Sequence, residues 1–246
     1  MKENFSYSEY YNIIDNIKKV GEIRDFKEIN SSTSNFIIIR HDVEFSVEKA
    51  YEMAILEKEK CNITSSYFFQ LRNNSYNILS KQNINMIRKL YSMGHSIGLH
   101  VHLGALKHID NIEEYIIKDV ETLQNYLSLP IDRFSFHRPS KQVLAINLKI
   151  QGLINAYSDE YFHYIDNIEN YDDLRVKYFS DSMNTWQYGY PDKTNLQNNK
   201  RIQILMHPYS WSKNGYSSDE NFEILIREKT DVLRNTIRME CKHYNK

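Results

Sequence analysis

Residues 37–44 read IIIRHDVE. Three β-branched apolar residues suit a strand of a buried parallel sheet. The run then passes, with no turn signal, into an arginine, a histidine, an aspartate and, two places on, a glutamate. A strand that ends this way delivers ionisable groups to one end of a sheet, so the other strands must be read for the same habit.

Before this stretch, residues 6–21 (SYSEYYNIIDNIKKVG) pair Ser6 with Glu9, carry an apolar face of Ile13, Ile14, Ile17 and Val20, and stop at Gly21, which predicts a helix outside the main repeat. After it, Ser46 caps a helical pattern of Val47, Ala50, Met53, Ala54 and Leu56. TSSYFFQ (64–70) reads as a strand, NINMIRKLYSMG (83–94) as a helix closed by Gly94, SIGLHVH (96–102) as a strand and NIEEYIIKDVETLQNYL (111–127) as a helix ending before Pro130. RFSFH, INAYS, VKYFS and IQILMH continue as strands, with helical patterns at KQVLAINLKI (141–150) and in the long segment 219–242. Repeated βα units with short connections imply a parallel sheet, and seven strands in one domain favour a distorted (β/α) barrel, with a doubly wound open sheet as the second choice. The expected organisation is one domain over 1–246: a helical extension over 1–35, a motif-bearing barrel over 36–211 and a C-terminal helix over 212–246.

The 246 residues carry 31 basic and 32 acidic side chains, mixed along the chain, and this balance leaves no basic stripe for nucleic acid. The first residues lack the apolar core of a signal peptide and no run is long enough to span a bilayer, so a soluble, cytoplasmic protein without membrane insertion is expected. Cys61 and Cys241 stand far apart without CxxC spacing, which predicts neither a disulfide framework nor a thiolate zinc site. No obligate protein partner is evident.

Strand after strand ends in reactive residues: RHDVE, GLHVH, SFHRP, YFSDS and LMHP. In a parallel barrel the carboxyl ends of the strands share one face. His41, Asp42, Glu44, His100, His102, His137, Arg138, Asp181 and His207 are therefore expected in one bowl, and they include five of the nine histidines. Imidazoles with a carboxylate are ligands for zinc and similar divalent ions, which suggests a mononuclear metal hydrolase. Each residue also has an ordinary alternative: His41 as a strand-end residue, Arg138 in a turn, Trp186 and Trp211 as core.

The order of RHDVE (40–44), GHSIGLHVH (94–102), FSFHRPS (134–140), YFSDSMNTW (178–186) and LMHPYSW (205–211) resembles the polysaccharide deacetylases of carbohydrate esterase family 4, the NodB-homology group. It is most similar to the branch whose first motif reads RHDVD and which accompanies surface-polysaccharide biosynthesis. The resemblance, over about residues 36–211, implies a NodB-type barrel, one divalent ion (zinc, with cobalt or nickel as alternatives) and hydrolysis of the N-acetyl group of an amino sugar. By the same resemblance Asp42 is the base and Glu44 a metal ligand where aspartate is usual, with Asp42 also able to bind the metal. His100 matches the first histidine of the second motif. The position of the second is Gly104, which leaves His102 as the substitute and His108 as an outside candidate. Arg138 is implied as the partner that orients Asp42, and His137 as a metal or substrate contact. Asp181 is implied to orient a catalytic histidine, His207 to be the general acid, and Trp186 to stack on a sugar, with Trp211 and His41 as further substrate contacts. Two alternatives share this frame: a deformylase or other C–N hydrolase, and a sugar- or nucleotide-sugar-binding protein without catalysis.

Overall fold

The structure is a computed structural model and describes residues 5–30, 32–105, 111–163, 175–241 and 243–244. Among the described residues seven strands make one sheet: β1 Phe36–Val43, β2 Ser66–Phe69, β3 Ser96–Val101, β4 Arg133–Phe136, β5 Ile154–Asn155, β6 Val176–Ser180 and β7 Arg201–Met206. Their order is β5-β4-β3-β2-β1-β7-β6 and every pair is parallel. Parallel neighbours need crossovers. Helices α2 Val47–Leu56, α3 Lys81–Ser92 and α4 Ile112–Leu127 supply those of β1 to β4, and short helices α5 Lys141–Ala145 and α6 Lys193–Gln197 follow β4 and β6. Helix α1 Tyr7–Val20 precedes the sheet, with the Ser6 side chain accepting from the Glu9 N–H, and α7 Ser218–Glu240 follows it. The helix expected over 141–150 reaches only Ala145, and the helix after β1 widens into a π-helical turn at Glu57–Cys61. No helix among the described residues is long and apolar enough to cross a membrane.

Alternation along each strand separates two layers. Ile37, Ile39 and Val43 join the core between sheet and helices, whereas Phe36 and Ile38 pack with Phe26, Phe68, Ala156, Tyr161 and Val176 inside the curl of the sheet. Gly98 lies on that inner side. A Cβ there would come within 2.6 Å of the Phe68 ring and 2.7 Å of Arg133 Cγ, so the strand must be bare for both to fit.

The sheet curls without closing its ladder: among the described residues no pairing joins β5 to β6. Side chains bridge the gap instead. Gln203 on β7 donates to the carbonyls of Ala156 (3.0 Å) and Tyr161 (2.7 Å), and Phe162 packs edge-on against Tyr178 of β6 at 5.0 Å. The amino end is plugged by Phe26, while buried Arg133 reaches Asp25 (2.5 and 3.0 Å) and Ser66 (2.8 Å).

Outside the sheet, on the helix side, the fully buried Glu57 accepts from Tyr10 (2.5 Å), Tyr67 (2.6 Å), Ser65 (2.7 Å) and His41 Nε2 (2.9 Å). Burial pushes its carboxyl up, but the charge and hydrogen bond of His41, with His95 and Tyr10, outweigh this and hold it at about 2. His95 completes the cluster, with Nε2 3.1 Å from the Ala54 carbonyl and Nδ1 accepting from the Ser65 N–H.

Candidate active site

Parity along β1 decides which groups reach the bowl. Arg40 and Asp42 share the inner side with Ile38, and His41 points the other way into the Glu57 cluster, stacked on Tyr67 at 4.5 Å. The expected substrate contact of His41 is thus corrected to a buried link between β1 and the helix layer.

Asp42 Oδ1 accepts from Ser135 Oγ at 3.2 Å, and Oδ2 lies 3.4 Å from Arg40 Nη2. Arg40 is fully buried, with its guanidinium 4.3 Å from the Tyr157 ring centroid. The arginine beside the expected base is therefore Arg40 of the same strand. Arg138 is exposed instead, which corrects the pairing of Arg138 with Asp42.

Register places His100 of β3 opposite Ser135 of β4, and His100 Nδ1 lies 2.8 Å from Ser135 Oγ. As a carboxylate, Asp42 only accepts, so Ser135 donates its one proton to it and must accept from His100 Nδ1–H. That relay engages Nδ1 and leaves Nε2 as the ring's free nitrogen. Nε2 is buried without a hydrogen-bond partner, 3.9 Å from Glu44 Oε1. His137 Nδ1 lies 2.9 Å from the same oxygen and also forms no hydrogen bond. Glu44, His100 and His137 bring one donor atom each within 4.8 Å of one another, and they come from the ends of three strands. The inward parity of 135 and 137 explains the third member, and Asn73 steadies the first by donating to the Glu44 carbonyl at 2.6 Å.

His102, the expected substitute ligand, is outside that group. Its exposed ring stacks on His137 at 5.1 Å and accepts from the Gly104 N–H at 3.2 Å. A Cβ on Gly104 would come within 2.6 Å of His102 Cε1, so the place of a second-motif histidine is filled by a neighbour's ring. His108 lies outside the described residues.

On the opposite wall His207 Nδ1 lies 2.6 Å from Asp181 Oδ1, with Nε2 3.8 Å from Glu44 Oε1. Asp181 is fixed by the His207 N–H (3.0 and 3.1 Å) and by Trp211 Nε1 (2.8 Å). Burial lowers the affinity of His207 for its second proton, but the Asp181 charge and hydrogen bond, with Glu44 and Asp42, overcome this and raise it to about 9. Glu44 is driven up by burial and, more strongly, held far below the usual carboxylate range by His100, His137 and His207.

Trp186 and Trp211, expected to meet a sugar, are buried among Phe5 and Tyr10, at 6% and 0% exposure. The aromatic surface at the mouth is Phe45 against Tyr209 (4.7 Å), with Phe222 of α7 5.7 Å from each and Tyr209 6.0 Å from His207. All three rings are partly exposed. The sequence reading missed Arg40, Ser135, Phe45 and Tyr209. Strand parity would have found the first two.

No known family's sequence profile matches the chain, and no curated protein matches it. Among solved structures it is similar to a CE4 domain of a multidomain xylanase from the hindgut metagenome of Trinervitermes trinervoides (TM-score 0.42, 11% identity, covering 82% of this chain and 84% of that one). It is also similar to a CE4 family pseudoenzyme from Bacillus anthracis (TM-score 0.44, 11% identity, 89% and 76%). A third is the chitin deacetylase of Colletotrichum lindemuthianum (TM-score 0.41, 17% identity, 78% and 81%).

Proposed function

We propose that this chain is a metal-dependent hydrolase that removes the N-acetyl group of an amino sugar in surface-polysaccharide or precursor metabolism, as the motif resemblance implies. One observation carries the metal: His100 Nε2 and His137 Nδ1, both buried without a hydrogen-bond partner, converge on Glu44 Oε1. Buried ring nitrogens left without a hydrogen-bond partner beside a carboxylate are satisfied by a cation lying among them. One carboxylate and two neutral imidazoles suit zinc, with cobalt or nickel as alternatives, and leave an open position. When bound, such an ion polarises a carbonyl and acidifies water.

The chain's own residues supply the proton steps. Asp42, oriented by Ser135 and Arg40, takes a proton from water as its oxygen bonds to the acetamide carbon. The carbon–nitrogen bond then breaks, and His207, kept protonated by Asp181, gives its proton to the departing amine. Phe45 and Tyr209 offer ring faces to the apolar side of a pyranose. The test is metal content by mass spectrometry of chelator-free protein, wild type beside His100→Ala, followed by release of acetate from N-acetyl amino sugars. About one equivalent in wild type, lost in the variant, is expected. Absence of metal after incubation with zinc, cobalt and nickel overturns the reading.

A further inference from the structure

Arg138 is left without its expected task because Arg40 already stands beside Asp42. Its own setting is unusual. It follows His137, precedes Pro139 and has φ +47°, a region that non-glycine residues rarely adopt. A residue before proline prefers extended backbone, so this conformation is strained. Such strain persists where the surroundings impose it, and it gathers at ligand clamps.

The guanidinium gains nothing visible in return: it is exposed and has no hydrogen bond or ion pair among the described residues. It nevertheless directly follows His137, whose ring lies against Glu44 and His102, and its charge reaches both His102 and Tyr209. An arginine fork matches the paired oxygens of phosphate and carboxylate groups.

We propose that Arg138 binds an anionic group carried by the amino-sugar substrate, so that the site takes an acidic amino sugar, with a phosphate or a carboxylate, in preference to a neutral polymer. The inference rests on the proposed hydrolase for the sugar, but anion binding does not need turnover.

The experiment is calorimetric titration of the full chain with N-acetylglucosamine 1-phosphate, with the uronate of N-acetylglucosamine and with neutral N,N′-diacetylchitobiose. Wild type is expected to bind at least one acidic probe tenfold or more tighter than the neutral one, and the stronger of the two identifies the anion. Arg138→Gln should erase that preference and leave neutral binding in place, while Arg138→Lys restores part of it. Arg138→Gly, which accepts the positive φ, should fold at least as stably and also lose the preference. Equal binding of acidic and neutral probes by wild type, or equal weakening of both in Arg138→Gln, overturns the proposal. The two readings fail separately: acidic preference without acetate release sinks only the hydrolase, and acetate release without acidic preference sinks only the anion site.

Discussion

His207 and Asp181 form the pair from which pH dependence follows most directly. With its affinity raised to about 9, the imidazole keeps its acid form through neutral pH and loses it as pH rises through that value. Acetate release should therefore fall above about pH 9. Asp181→Asn removes the main raising influence, so the alkaline limb should move down toward the ordinary histidine range, a shift visible in a kcat–pH profile. His207→Ala should lower kcat by roughly 10²–10⁴-fold. At the ligands, His137→Ala should abolish stoichiometric metal, whereas His102→Ala should retain it, as read by mass spectrometry. The candidates themselves were legible in the sequence because they end strands. Their grouping was not, since His137 joins Glu44 and His100 from a different strand, and only register across β3 and β4 reveals it. His41 was misassigned where a rule of parity sufficed: residues 40 and 42 face the bowl, so 41 cannot.

At the scale of elements, the cluster around Glu57 ties α1, the π-helical turn, β1 and β2 together through one carboxylate. No motif announces it, because its members lie at positions 10, 41, 57, 65, 67 and 95 and meet only once the helices pack. A carboxyl held at about 2 against an ordinary 4.5 contributes stability that is fully present above about pH 4.5 and is lost as pH falls through about 2. Glu57→Gln should lower stability at neutral pH by about 3 kcal/mol, since it leaves buried donors and a histidine without their anion. It should also flatten the acid limb of unfolding between those two values. Urea titrations of both proteins at several pH values would show it; parallel pH curves for the two would contradict the assignment.

The whole molecule follows from the βα rhythm, and the count of seven parallel strands was readable from alternating strand and helix patterns. How the sheet completes its curl was not readable, because among the described residues the bridge is made by Gln203, His163 and a few aromatic rings with no sequence signature. Gly98 has a similarly global role: Gly98→Val would drive its side chain into Phe68 and Arg133, and a loss of 1–3 kcal/mol or more is expected in thermal unfolding. The bridging of β5 and β6 by side chains has a dynamic consequence. A continuous ladder can part only by breaking many backbone bonds together, but among the described residues the seam is held by two amide hydrogen bonds from Gln203, the Val176 N–H to His163 Nδ1 and a ring contact. Segment 156–162 can therefore breathe while β1 and β7 stay locked. Its amides should exchange with deuterium earlier than those of the central strands, and Gln203→Leu should widen the difference, so the bore of the bowl is set at its weakest seam.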